Sequence, residues 1–192
     1  TLAIGRDGLS ARLRLPPGAD VAGAMAQLRP SNVEADEVLR HWCRLARRQL
    51  SDPEPSLAGQ VRRTFEGIAA TPAAHRAACV ALAMLAVDPR VGELAGLTRA
   101  RAAECAGPAA SIRLAGREDL AKHWALSGAL AAALGCEAAQ AAGIYKELAD
   151  SGSGGSGFSF VDLAADRAGL RAARAAFGPR TAAKAAPALP AP

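Results

Sequence analysis

Lysine is scarce in this chain: Lys122, Lys146 and Lys184 stand against 20 arginines in 192 residues, for a formal charge of +5. Arginine in place of lysine in an alanine-rich sequence fits a GC-rich bacterial genome better than a selected binding surface. Aromatic residues make up only 4%. The four cysteines, Cys43, Cys79, Cys105 and Cys136, form no Cys-x-x-Cys pair, which excludes the common zinc and thioredoxin spacings. Their even number permits two disulfides in any of three pairings, or four buried thiols packed as small hydrophobes. A long uninterrupted apolar run is also missing. The nearest, from Trp124 to Tyr145, carries Glu137 and Gln140 and breaks at Gly135, so it reads as two short helices rather than one span. The first residue is Thr1, so a removed leader or a trimmed start is expected, and any membrane association is expected through a segment outside this sequence.

What is present suits one domain of ordinary size. Half the residues are hydrophobic (51%), which excludes a wholly disordered or collagenous chain. Gly5-Arg6-Asp7-Gly8 followed by alternating Leu9, Ala11, Leu13 and Leu15 predicts a short hairpin or edge ribbon, stopped by Pro16-Pro17-Gly18. Ser31-Asn32-Val33-Glu34 reads as a capping box, with Val38, Leu39, Trp42, Leu45 and Leu50 following at helical spacing. A second helix is expected over Ser56 to Ala69. Thr71-Pro72 pairs a cap with a proline at the first helical position, opening the most buried helix, Ala73 to Val87. Asp88-Pro89 restarts the chain into a helix through about Ala103, and Gly107-Pro108 marks a boundary. After an extended piece, Ser111 to Leu114, three helices are expected: Glu118 to about Leu134, Glu137 to about Asp150, and Phe160 to about Ala176. The fold class is therefore mainly α, a compact multi-helix single domain with a short N-terminal β ribbon. Residues 1–115 form an N-terminal helical region, 116–176 a three-helix region, and 177–192 an Ala/Pro-rich tail. Arg40, Arg44, Arg47 and Arg48 form the sharpest basic cluster. Its neighbours are helix formers rather than the aromatic or glycine-rich readers of a nucleic-acid patch, so it reads as a solvated face and no nucleic acid is expected as a partner.

The chemistry concentrates in the last third. Asp119 and His123 are four apart and share a helix face, with Ser127 on the same side. Glu147 and Asp150 are three apart with Lys146 alongside, and Asp162 and Asp166 are again four apart. The surrounding Ala, Leu and Gly would let helices approach closely and bring these stripes together. Two carboxylates about 4 Å apart repel by roughly 4 kcal/mol at an effective dielectric near 20. Four or five acids in one place therefore need a raised pKa, a cation from Lys146, Arg167 or His123, or a metal ion. An aspartate beside His123 would fix one tautomer and favour the imidazolium. Each element also has a plainer reading: Asp119 complements the helix dipole, and Ser159 caps a helix whose first turn holds Asp162.

At these residues the chain resembles a family of small bacterial envelope proteins, the YfiM-like lipoproteins. The pattern comprises Asp119 and His123, then Lys146, Glu147, Asp150 and Ser151. Gly155-Ser156-Gly157-Phe158-Ser159-Phe160, Asp162, Asp166 and Gly169 complete it. Leu120 stands where the family usually carries lysine. A looser likeness reaches VanZ-like membrane proteins, which share the order Asp, His, Glu, Asp. The resemblance covers about a quarter of the chain and none of Thr1 to Leu114. It implies a bacterial envelope setting, periplasmic or otherwise extracytoplasmic, and makes the run Ser151 to Gly157 a native loop rather than an inserted linker.

The leading expectation is an envelope protein with a polar interhelical pocket, acting as a hydrolase on cell-wall or lipid material. His123 or Glu147 is the expected acid/base and Asp119 orients His123. Lys146, Ser156 and Ser127 contact substrate, and Asp150, Asp162 and Asp166 hold a divalent cation or water. The competing expectation is a non-catalytic binding or scaffold protein with an envelope component or protein as partner, in which the same cluster is structural. A weaker third is nucleic-acid binding through the Arg40 to Arg48 face.

Overall fold

The computed structural model describes residues 2–5, 8–11, 33–105, 110–151 and 157–177. The fold is mainly helical. Helices α1 (Ala35–Ser51), α2 (Leu57–Phe65) and α3 (Pro72–Ala86) are followed by a 3-10 helix (Pro89–Ala95) and a short α4 (Arg99–Ala103). The last three are α5 (Glu118–Leu134), α6 (Cys136–Asp150) and α7 (Phe160–Phe177). At the N-terminus, β1 (Leu2–Gly5) pairs antiparallel with β2 (Gly8–Ala11). Ser31, Gly107-Pro108, Ser156 and the tail beyond Phe177 lie outside the described residues.

Local signals set most boundaries. Thr71 accepts from the Ala74 amide at 3.2 Å, with Pro72 opening α3, and Ser56 accepts from the Gly59 amide at 3.0 Å. The start of α1 differs from expectation: it follows Glu34, which makes no side-chain cap bond. α2 is also shorter than its apolar spacing suggests, because the chain turns at Glu66 and Gly67, whose φ is +69°. The single helix expected from Asp88 to Ala103 is two pieces. Gly96 adopts φ +78° and ends the 3-10 turn, a conformation that costs glycine nothing. The extended piece before α5 is pinned to the α1–α2 connection: the Leu57 amide donates to Arg113 O at 2.9 Å, and the Arg113 amide donates to Pro55 O at 2.7 Å.

α3 is the core helix. Apart from the partly exposed Arg76, every residue from Ala74 to Ala86 is buried, and α1, α5 and α7 pack around it. Trp42 Nε1 donates to Ala102 O at 2.8 Å, and a Cys43–Cys105 disulfide joins α1 to the end of α4. Cys79 is a buried free thiol and Cys136 a partly buried one. His75 is wholly buried, its Nδ1 2.8 Å from Ala176 O and its ring edge-on to Phe65. The Arg40–Arg48 cluster is largely spoken for: Arg44 donates to Glu66 O and Thr64 O, and Arg48 pairs with Glu66 at 2.7 Å. These arginines clamp the carbonyl end of α2, where cations are favoured.

Two glycines set the geometry of the last three helices. A Cβ on Gly169 would lie 2.1 Å from Trp124 O, so α7 crosses α5 with backbone against backbone. Gly135, at φ +91°, separates α5 from α6. The two helices expected from Trp124 to Tyr145 are therefore the ones observed. No described helix is long and apolar enough to cross a membrane.

Candidate functional site

The crossing at Gly169 sets His123 of α5 opposite the first half of α7, where both ring nitrogens meet carboxylates. Nδ1 lies 3.2 Å from Asp166 Oδ1 and Nε2 lies 3.5 Å from Asp162 Oδ2. Ser127, one turn along α5, donates to the same Asp166 oxygen at 2.8 Å. Asp166 is thereby held from two positions four residues apart, and its contact with Nδ1 sets the orientation of the ring. The His123 and Asp162 side chains are only 13% and 15% exposed.

Glu147 reaches the same place from α6 and is completely buried. A buried carboxylate needs partners, and it has two: Lys146 Nζ donates to Oε1 and the Ser159 amide to Oε2, each at 2.9 Å. Ser159 also caps α7, accepting from the Asp162 amide at 3.2 Å. The segment entering α7 thus locks Glu147 and orients Asp162 in one stroke. Lys146 is further bound to Asp150 at 2.7 Å. A donor atom from each of His123, Glu147 and Asp162 falls within 4.8 Å of the others. These three are the group able to share a metal ion among the described residues.

Charge follows this geometry. The Asp166 hydrogen bond raises the His123 pKa above its usual range against partial burial, helped by the Asp166 and Asp162 charges and opposed by Lys146. Burial disfavours charge on Lys146, but its bonds to Asp150 and Glu147 outweigh that and raise its pKa. Asp162 Oδ1 and Asp166 Oδ2 are buried without a hydrogen bond. The latter oxygen faces Gly143, where a Cβ would come within 2.8 Å of it. A mostly apolar groove of about 330 Å3 opens here, lined by His123, Leu126, Ser127, Leu130, Gly143 and Asp166 among others.

Two expectations need correction. Asp119 does not orient His123. Its carboxylate is half exposed and taken by the Arg117 guanidinium, which holds its pKa down to about 2. A two-pronged charged partner two residues away wins over a ring four residues away, and α7 already supplies both partners of that ring. Nor do Asp150, Asp162 and Asp166 form a cation-binding trio. Asp150 serves Lys146 and Asp166 serves His123 and Ser127, leaving Asp162 to face the shared space. Lys146 and Ser127, expected to meet substrate, both line the groove; Lys146 is paired with two carboxylates, and Ser127 is buried at 3% exposure. Sequence reasoning missed Arg117, the Ser159 amide and Gly143; of these, only Arg117 carries a sequence signal, its spacing of two from Asp119.

Comparison of the chain with protein-family models, with curated proteins and with solved structures finds no match.

Proposed function

We propose that this is a bacterial cell-envelope protein whose His123 centre performs acid/base hydrolysis on cell-wall or lipid material. The observation carrying it is a single imidazole bracketed by Asp166 and Asp162, flanked by a wholly buried Glu147 and an open apolar groove. Carboxylates on both sides let the ring exist as the imidazolium and return a proton to a leaving group. In its neutral form, Asp166 keeps the proton on Nδ1 and leaves Nε2 to accept one from water. Glu147 is the second proton-bearing candidate, and the apolar groove suits the hydrocarbon portion of a lipid. The Cys43–Cys105 disulfide supports an extracytoplasmic setting, where such bonds persist, as does the likeness to YfiM-like proteins. His123→Ala and Glu147→Gln variants, assayed for turnover on envelope fractions, are expected to lose activity. Undiminished turnover in both contradicts the reading.

A second reading has an observation of its own. Asp166, Glu147 and Lys146 are all hydrogen-bonded within the cluster, as in a network that locks α5, α6 and α7 together in a scaffold or binding protein. On that reading Asp162→Ala lowers the melting temperature and leaves turnover of envelope material unaltered.

A further inference from the structure

We propose that His123, Glu147 and Asp162 form a binding site for one first-row transition dication of the zinc type. His123 Nδ1 is committed to Asp166, which leaves Nε2 facing Asp162 Oδ2 at 3.5 Å. In the metal-free ring a proton on Nε2 satisfies that pair, and a dication that displaces the proton would engage both donors at once. Tetrahedral zinc, with bonds of about 2.0–2.2 Å, spaces its donors roughly 3.4 Å apart. The His123–Asp162 pair already has that spacing, and a Glu147 oxygen completes a triangle whose donors lie within 4.8 Å.

Two further observations point the same way. Asp162 Oδ1 is buried and accepts no hydrogen bond; its ion pair with Arg117 is long, at 3.8 Å, and that guanidinium is hydrogen-bonded to Asp119. The Asp166–His123 contact reproduces the carboxylate that orients a metal-bound imidazole from behind, and Ser127 steadies that carboxylate. Four carboxylates, those of Glu147, Asp150, Asp162 and Asp166, gather around one lysine and one imidazole, with Arg117 at the edge shared between Asp162 and Asp119. A dication offsets that excess of negative charge. The nitrogen donor favours zinc, iron or nickel over magnesium or calcium, whose ligands are oxygens. Three protein donors leave a coordination position open to water, the pattern of sites that react rather than merely brace.

Metal binding is tested without substrate, so it can fail while the hydrolase reading stands, and the reverse. The full chain, stripped with a chelator, is titrated with Zn2+ by calorimetry and with Co2+ by visible absorption. One equivalent is expected to bind, with the ligand-field bands of a low-coordinate nitrogen/oxygen site. Glu147→Gln and Asp162→Asn, which preserve shape, are expected to weaken binding by more than the roughly 10–100-fold typical of a supporting residue, and Asp166→Asn by about that amount. Cys136→Ser is expected to change nothing. Absence of saturable binding by the parent chain overturns the proposal, as does binding that ignores Glu147→Gln and Asp162→Asn or depends on Cys136. Because the parent titration is decisive by itself, the test survives a variant that fails to fold.

Discussion

His75 and His123 are each anchored through Nδ1, and their surroundings divide the molecule in two. His75 sits in α3 among apolar neighbours and bonds a backbone carbonyl, Ala176 O. His123 sits in α5 against two carboxylates, with a third within reach. The first arrangement ties α3 to the end of α7 and serves packing. The second gathers charge at one place and leaves a groove beside it. A buried histidine is therefore no marker of chemistry by itself; the nature of its partners separates a packing role from a site.

The largest test of this division lies in the first half. Replacing both Cys43 and Cys105 with serine frees a loop of 62 residues in the unfolded chain, which should cost about 4 kcal/mol by loop-closure entropy. Denaturant melting reads this directly, and an unchanged midpoint would deny the disulfide any part in stability. In the second half, Gly169→Ala drives a methyl into the Trp124 carbonyl and should cost about 3 kcal/mol, a fall of roughly 6–12 °C in Tm for a chain this size. Gly128→Ala, with nothing within 4 Å of the added carbon, should gain up to about 1 kcal/mol in helix propensity. Equal effects at the two glycines would deny the close crossing that places His123.

A smaller effect separates the centre from the surface. Asp166→Asn breaks a buried network and should cost about 1–3 kcal/mol, whereas Asp119→Asn should melt like the parent. The two halves should also answer pH with opposite sign. Burial, with Arg44, pushes the pKa of His41 below 6.5, so its contribution is complete above that pH and is lost as acid protonates the ring. The His123 pKa is raised, so its contribution is complete below about 6.5 and is lost as the pH climbs through the folded value. Melting curves of His41→Gln and His123→Gln across roughly pH 5–8 should diverge from the parent at opposite ends. Divergence at the same end would merge the two environments.

Much of the frame was legible because local rules act over a few residues. Thr71-Pro72, Ser56, Ser159 and Gly135 mark boundaries through caps and a left-handed turn, and the all-round apolar Ala73–Val87 marks the core helix. The convergence of the polar stripes on α5, α6 and α7 followed from helical spacing together with small residues. Assignments that depend on competition across space were not legible. Asp119 shares a face with His123, yet Arg117 takes it. Asp166, expected to hold a cation, is needed behind the imidazole, and which cysteines pair depends on the approach of α1 to α4. The helix expected from Asp88 to Ala103 broke at Gly96, where a tertiary turn overrode helix propensity.

Asp162 and Asp166 bracket the His123 ring, and an NMR titration of that ring in metal-free protein tests their hold on its charge most directly. A pKa above 6.5 that falls in Asp166→Asn is expected. A value at or below 6.5, or one indifferent to Asp166, would contradict it.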